Sequence, residues 1–90
     1  MNFEELYKII NTRIKNKNKN SYTNSLIKLG PKKIAQKFSE ESNELVIDYL
    51  VGSKKRTVEE AADVIYHLLV LLRSKKISLE EINKELTKRK

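Results

Sequence analysis

Residues 64–72 read V-I-Y-H-L-L-V-L-L, and only Tyr66 and His67 carry a polar group. An α-helix turns about 100° per residue, so this stretch is apolar on nearly every face. A helix that is apolar all round is buried all round. The chain has 90 residues, and the few other helices it can form are too short to cover this one on every side. The stretch is also far too short to span a bilayer, and His67 interrupts it. These constraints point to an all-α helical bundle completed by dimerisation, a two-fold homodimer whose helices combine around this segment.

The remaining residues also read as helices. Phe3, Leu6, Ile10 and Ile14 recur at helical spacing and predict a first helix over 2–15. K-N-K-N-K-N at 15–20 breaks that pattern and reads as an exposed loop. The stretch 21–29 allows a short helical turn at most, stopped by Gly30. Pro31 suits the first position of a helix that runs to about Val51 and ends at Gly52. S-K-K-R at 53–56 is a tight basic link. The next helix starts somewhere in 53–58 and carries through to about Ser74. Ser78 and Glu81 form a capping box for a last helix over about 79–88. There is no β-type alternation and no repeat, so residues 1–90 are expected to form a single small domain.

Composition narrows the function. With 39% hydrophobic and 34% charged residues, two Gly and one Pro, the chain is too apolar for a disordered protein. It has no cysteine, which excludes disulfides and thiolate metal sites. The first ten residues contain two Glu and no basic leader, so the expected location is cytoplasmic. A net charge of +7 favours anionic partners such as nucleic acid, acidic membrane or phosphorylated small molecules. Much of that excess lies in the runs Lys15–Asn20 and Lys88–Lys90, where solubility accounts for it. The lysines are scattered over loops and tails, without aromatic interleaving or a DNA-binding motif. A non-catalytic basic dimer on nucleic acid is therefore the weakest reading, and no nucleic acid or membrane partner is expected.

The acids carry more information. On the helix starting at Pro31, Ile34, Phe38, Leu45 and Tyr49 form one apolar stripe. Glu41 falls inside it, roughly 20° from Ile34 on the helical wheel. Asp48 lies close to the stripe and Glu44 borders it. Ionised carboxylates facing a core are costly unless something pairs with them. The next long helix carries Glu60 and Asp63 as E-A-A-D. Residues three or four apart are neighbours on a helix, and the short link makes the two helices antiparallel. Glu41 and Glu44 can then converge with Glu60 and Asp63. Two charges about 5 Å apart at an effective dielectric of about 20 repel by roughly 3 kcal/mol. Four converging carboxylates have six such pairs, enough to rival the roughly 5–15 kcal/mol stability of a whole domain. Protons, basic residues or a hard cation must compensate. Oxygen-only ligands select Mg²⁺ or Mn²⁺.

Each of these residues also has a bland reading. Glu-x-x-Glu occurs by chance in many helices, and Glu60 fits a capping box with Thr57. Lys33 and Lys37 precede Glu41 on the same side of their helix. They suit ordinary salt links as well as substrate phosphates. His67 sits one turn beyond Asp63, and a lone His in an apolar run is more often a supporting residue than a catalyst.

The pattern E-E-x-x-E at 40–44 followed by E-x-x-D at 60–63 resembles the all-α nucleoside triphosphate pyrophosphohydrolases, the MazG-like superfamily. The resemblance sharpens with S-Y-T at 21–23, Leu26, Gly30, K-I at 33–34, Lys37, and E-A-A-D-x-x-Y-H-L-L-V-L-L at 60–72. Together these resemble phosphoribosyl-ATP pyrophosphohydrolase, from the first helix to about residue 73 and more loosely to the end. The resemblance implies a Mg²⁺-dependent, dimeric enzyme of the second step of histidine biosynthesis. Water attacks a phosphorus of phosphoribosyl-ATP, the bond between the α and β phosphates breaks, and phosphoribosyl-AMP and pyrophosphate leave. It implies Glu41, Glu44, Glu60 and Asp63 as metal ligands, and Glu40, with Glu41, as the catalytic acids that orient or deprotonate the water. Lys33 and Lys37 match positions for substrate phosphates, and Ser21, Tyr22 and Thr23 a substrate-contacting loop. His67, by its place one turn beyond Asp63, is expected to support the acids rather than to react. The superfamily shares the acid pattern, so a house-cleaning nucleoside triphosphate pyrophosphohydrolase is the alternative. The chain departs from the family at Ser39, where a glycine is common, at Ser42 and Asn43, and in the Lys-rich 15–20 segment.

Overall fold

A computed structural model describes residues 1–17 and 21–90. The expected loop at 15–20 therefore lies partly outside the described residues. The described residues form five helices and no strand: α1 Phe3–Asn16, α2 Tyr22–Leu29, α3 Pro31–Val51, α4 Lys54–Ser74 and α5 Leu79–Arg89. Four of the five starts follow from a side-chain cap, and α3 starts instead at Pro31 without one. The Asn2 side chain accepts from the Glu5 amide, that of Ser21 from Asn24 and that of Ser53 from Arg56. Ser78 and Glu81 complete the expected capping box of α5. Satisfying these otherwise orphaned amides fixes where those four helices begin.

Two expectations need correction. Residues 22–29 make a full helix of eight residues rather than a turn, because Thr23 and Leu26 are buried in the core. Glu60 is not the capping partner of Thr57, since α4 is capped by Ser53 and starts earlier. The Thr57 hydroxyl instead donates to the Asp48 and Ser53 carbonyls.

Ile10, Leu26, Ile34, Leu69 and Val70 form the core, drawn from the first four helices. Asp48 meets Thr57 at the link and Glu41 meets Asp63 further along, so α3 and α4 run antiparallel. The apolar segment at 64–72 is largely covered by its own chain: His67, Leu69 and Val70 are buried and only Leu68 is exposed. Bare apolar surface lies instead on the C-terminal half of α3. The expected stripe is buried at Ile34 and half-buried at Phe38 and Leu45, but Tyr49 is 74% exposed. Val46, Ile47, Leu50 and Val51 beside it are exposed too. No described helix is long and apolar enough to cross a membrane.

Candidate metal centre

The α3–α4 hairpin brings three of the expected acids together. One carboxylate oxygen each from Glu41, Glu60 and Asp63 lies within 4.8 Å of the others. Glu60 is 5% exposed, an unusual position for a glutamate. Its Oε1 accepts from Arg56 Nη2 at 2.8 Å. Its Oε2 is buried and finds no hydrogen-bond partner among the described residues. A buried carboxylate oxygen left without a donor is costly, and a cation held between the three acids would satisfy it.

Glu44 stands beside this group rather than within it. Burial is the largest cause raising the Glu41 carboxyl above its ordinary pKa, followed by the charge of Glu44, with Asp63 adding to it and His67 opposing it. Burial likewise raises Glu60, followed by Glu44, while Arg56 pulls it down. Two ionised carboxylates have no proton to give one another. Glu44 can bond to Glu41 or Glu60 only by sharing a proton, which a cation would displace. Oxygen-only ligands of this kind fit Mg²⁺ or Mn²⁺.

Glu40 points to the exposed side of α3. Its carboxylate accepts from Gln36 Nε2 at 2.8 Å and pairs with Lys37 at 3.5 Å. The Gln36 hydrogen bond is the largest cause holding its pKa below the ordinary value; desolvation opposes it, and Lys37 and then Lys33 add to the lowering. Lys33 Nζ donates to Gln36 Oε1 at 3.2 Å. The two lysines and Glu40 thus form one polar row along α3, next to the three acids rather than among them.

His67 is buried behind the acids. Its Nδ1 lies 2.7 Å from the Asp63 carbonyl, which can only accept, so Nδ1 carries the proton. In the neutral ring Nε2 then accepts from the Tyr22 hydroxyl, 3.1 Å away. This bond carries α2 to the acids: Tyr22 lies close enough to Lys37, Glu41 and Asp63 to feel their charges. The Tyr22 ring stacks on Tyr66 with centroids 6.0 Å apart and meets the edge of His67. Ser21 and Thr23 are buried. Ser21 caps α2, and the Thr23 hydroxyl bonds to that of Tyr66. Of the three S-Y-T residues, Tyr22 is the one at the surface.

Arg56 and Tyr66 are not among the residues expected above. The signal for Arg56 is its i, i+4 spacing to Glu60. Tyr66 stood in the quoted string at 60–72, but with no role assigned to it.

The chain is also similar to known proteins along almost its whole length. Residues 3–90 match the family model described as phosphoribosyl-ATP pyrophosphohydrolase. The chain is 46% identical to a phosphoribosyl-ATP pyrophosphatase of Sulfolobus acidocaldarius, over 96% of this chain and 90% of that protein. It is 42% identical to one of Clostridium novyi, over 97% and 79%. It is 46% identical to one of Pyrobaculum neutrophilum, over 94% and 90%. With a match along almost the whole chain, and acids paired across one helical hairpin, the chain belongs to the phosphoribosyl-ATP pyrophosphohydrolase family.

Proposed function

We propose that the chain hydrolyses phosphoribosyl-ATP to phosphoribosyl-AMP and pyrophosphate, the second step of histidine biosynthesis, as a Mg²⁺-dependent cytoplasmic homodimer. The observation that carries the metal reading is Glu60, buried with one carboxylate oxygen unpartnered, beside Glu41 and Asp63. These three would hold the ion, with Glu44 as the adjoining fourth acid. When bound, the ion polarises phosphoryl oxygens and lowers the pKa of water.

The protein's own side chains do the rest. Glu40, kept ionised by Gln36 and Lys37, orients the attacking water or accepts its proton, a task Glu41 shares from within the acid group. Lys33 and Lys37 offset the charge of the phosphates as the bond breaks. Tyr22 closes the site from α2, held by His67. Single-domain organisation over 1–90 accords with the shared core of the first four helices. The bare C-terminal half of α3 supports a second copy as its cover.

One assay tests the reading. Purified protein with phosphoribosyl-ATP and Mg²⁺ should release pyrophosphate, and ATP and dUTP in parallel should give little. Asp63→Asn should lower turnover by at least about 100-fold, since loss of a ligand exceeds the 10–100-fold typical of its supporting residues. Helicity should be retained. Equal rates on all three nucleotides would favour the house-cleaning pyrophosphohydrolase, and an unaffected Asp63→Asn would sink the metal centre.

A further inference from the structure

The basic residues expected to form a link at 53–56 instead open α4, which starts at Lys54, and they have no role in the chemistry above. Lys54, Lys55 and Arg56 fill the first turn of α4, which holds no acid. The positive end of a helix dipole disfavours cations there, so local stability alone argues against this sequence. A residue that breaks a local rule is expected to serve a site.

Arg56 faces the acids. Its Nη2 lies 2.8 Å from Glu60 Oε1 and 3.7 Å from Asp48 Oδ2, and its Nη1 is 3.9 Å from Glu59 Oε2. The backbone beneath it is fixed, because Ser53 Oγ accepts from the Arg56 amide at 3.1 Å. The Glu60 carboxylate is thus divided. One oxygen is held by the guanidinium, while the other is buried, unpartnered among the described residues and part of a carboxylate that joins Glu41 and Asp63. A carboxylate bonded through one oxygen cannot turn about its last torsion without losing that bond. Its remaining oxygen is therefore already aimed.

We propose that Arg56 is a positioning residue for the metal centre: it clamps Glu60 through Oε1 and so presents Oε2 to the cation. This rests on reading Glu41, Glu60 and Asp63 as metal ligands. Two other roles for Arg56 give different signs. A guanidinium that merely repels the cation would loosen binding while present, so its removal would tighten the site. One that merely pins the start of α4 to Asp48 would change stability and leave affinity alone.

The test is Mn²⁺ binding, followed by the loss of the free-ion electron paramagnetic resonance signal. Arg56→Gln, Arg56→Lys and Lys55→Gln would be compared with the wild-type chain at matched helicity. Arg56→Gln should weaken Mn²⁺ by about 10-fold or more, the range for partners of metal ligands. Lys55→Gln removes the same charge from the same turn and should leave affinity unchanged or slightly tighter. Arg56→Lys should fall between, since an ammonium lacks the planar guanidinium that reaches Glu60, Asp48 and Glu59 together. This variant carries the test if Arg56→Gln does not fold. Affinity in Arg56→Gln equal to or tighter than wild type would overturn the clamp, as would wild-type affinity in Arg56→Lys. A wild-type chain that binds no Mn²⁺ would remove the metal centre itself, and the clamp with it.

Discussion

Glu44 is the residue whose charge most raises its neighbours after burial, acting on both Glu41 and Glu60. This sets a pH dependence whose sign can be worked out. A carboxyl whose folded pKa is raised stabilises the fold when protonated. That contribution is complete below the ordinary value of 4.5 and is lost as pH rises through the folded value. Glu40 and Glu81, both lowered by hydrogen bonds, act oppositely and lose their contribution at more acid pH. With chelator present, the melting temperature should therefore fall as pH is raised from about 4.5 towards 7. Glu44→Gln should flatten that fall and raise the neutral-pH melting temperature by a few degrees, and Mg²⁺ should do the same for the wild-type chain. Parallel slopes in the two proteins, read by circular dichroism, would mean that the acids are not coupled. The angle of Glu41 on the α3 wheel already marked it as an inward acid. Arg56 was missed because S-K-K-R at 53–56 read as a link, although its i, i+4 spacing to Glu60 was present in the sequence. The observed cap at Ser53 puts it inside the helix, one turn before Glu60.

At the scale of elements, four helices were readable from spacing and caps, and α2 was not. Eight residues make a helix too short to stand alone in water. Burial of Thr23 and Leu26 against other helices decides its state, and periodicity over two turns does not report that. The glycines at the ends of α3 were legible as stops, yet they serve different needs. Gly30 has φ 93°, a backbone region that other residues rarely adopt, with open space around it. Gly52 has an ordinary φ of −96°, but an added Cβ would lie 2.6 Å from Asp48 Oδ1 and 2.9 Å from the Asp48 backbone. The hairpin link is thus closed by contact rather than by torsion. Gly52→Ala should cost about 1–3 kcal/mol, as overpacking does. It should also disturb the Arg56–Asp48 pair. Denaturant unfolding measures the first, and a double-mutant cycle with Arg56→Gln measures the second. A Gly52→Ala protein as stable as wild type would show that the link yields freely.

At the scale of the molecule, the single chain exposes more surface than its mass warrants. Its accessible area is 7026 Å², against roughly 5,400 Å² expected for a folded monomer of this size. Its radius of gyration is 14.0 Å, against about 12 Å for a compact domain. The surplus of roughly 1,600 Å² per chain is what an obligate homodimer buries on each side. The sequence argued for a second copy from residues 64–72. The structure moves the bare surface to Val46, Ile47, Leu50 and Val51 on α3, because apolar periodicity identifies a face but not which neighbours cover it. Sedimentation equilibrium at micromolar concentration should give about twice the chain mass of 10.5 kDa. Ile47→Glu combined with Leu50→Glu should shift the chain towards monomer, since each buried pair would set like charges into an apolar contact. The bare face and the acids share α3, so the monomeric variant should also lose turnover if the partner steadies that helix. A wild-type chain that sediments as a stable monomer would leave the surplus surface unexplained and withdraw the dimer.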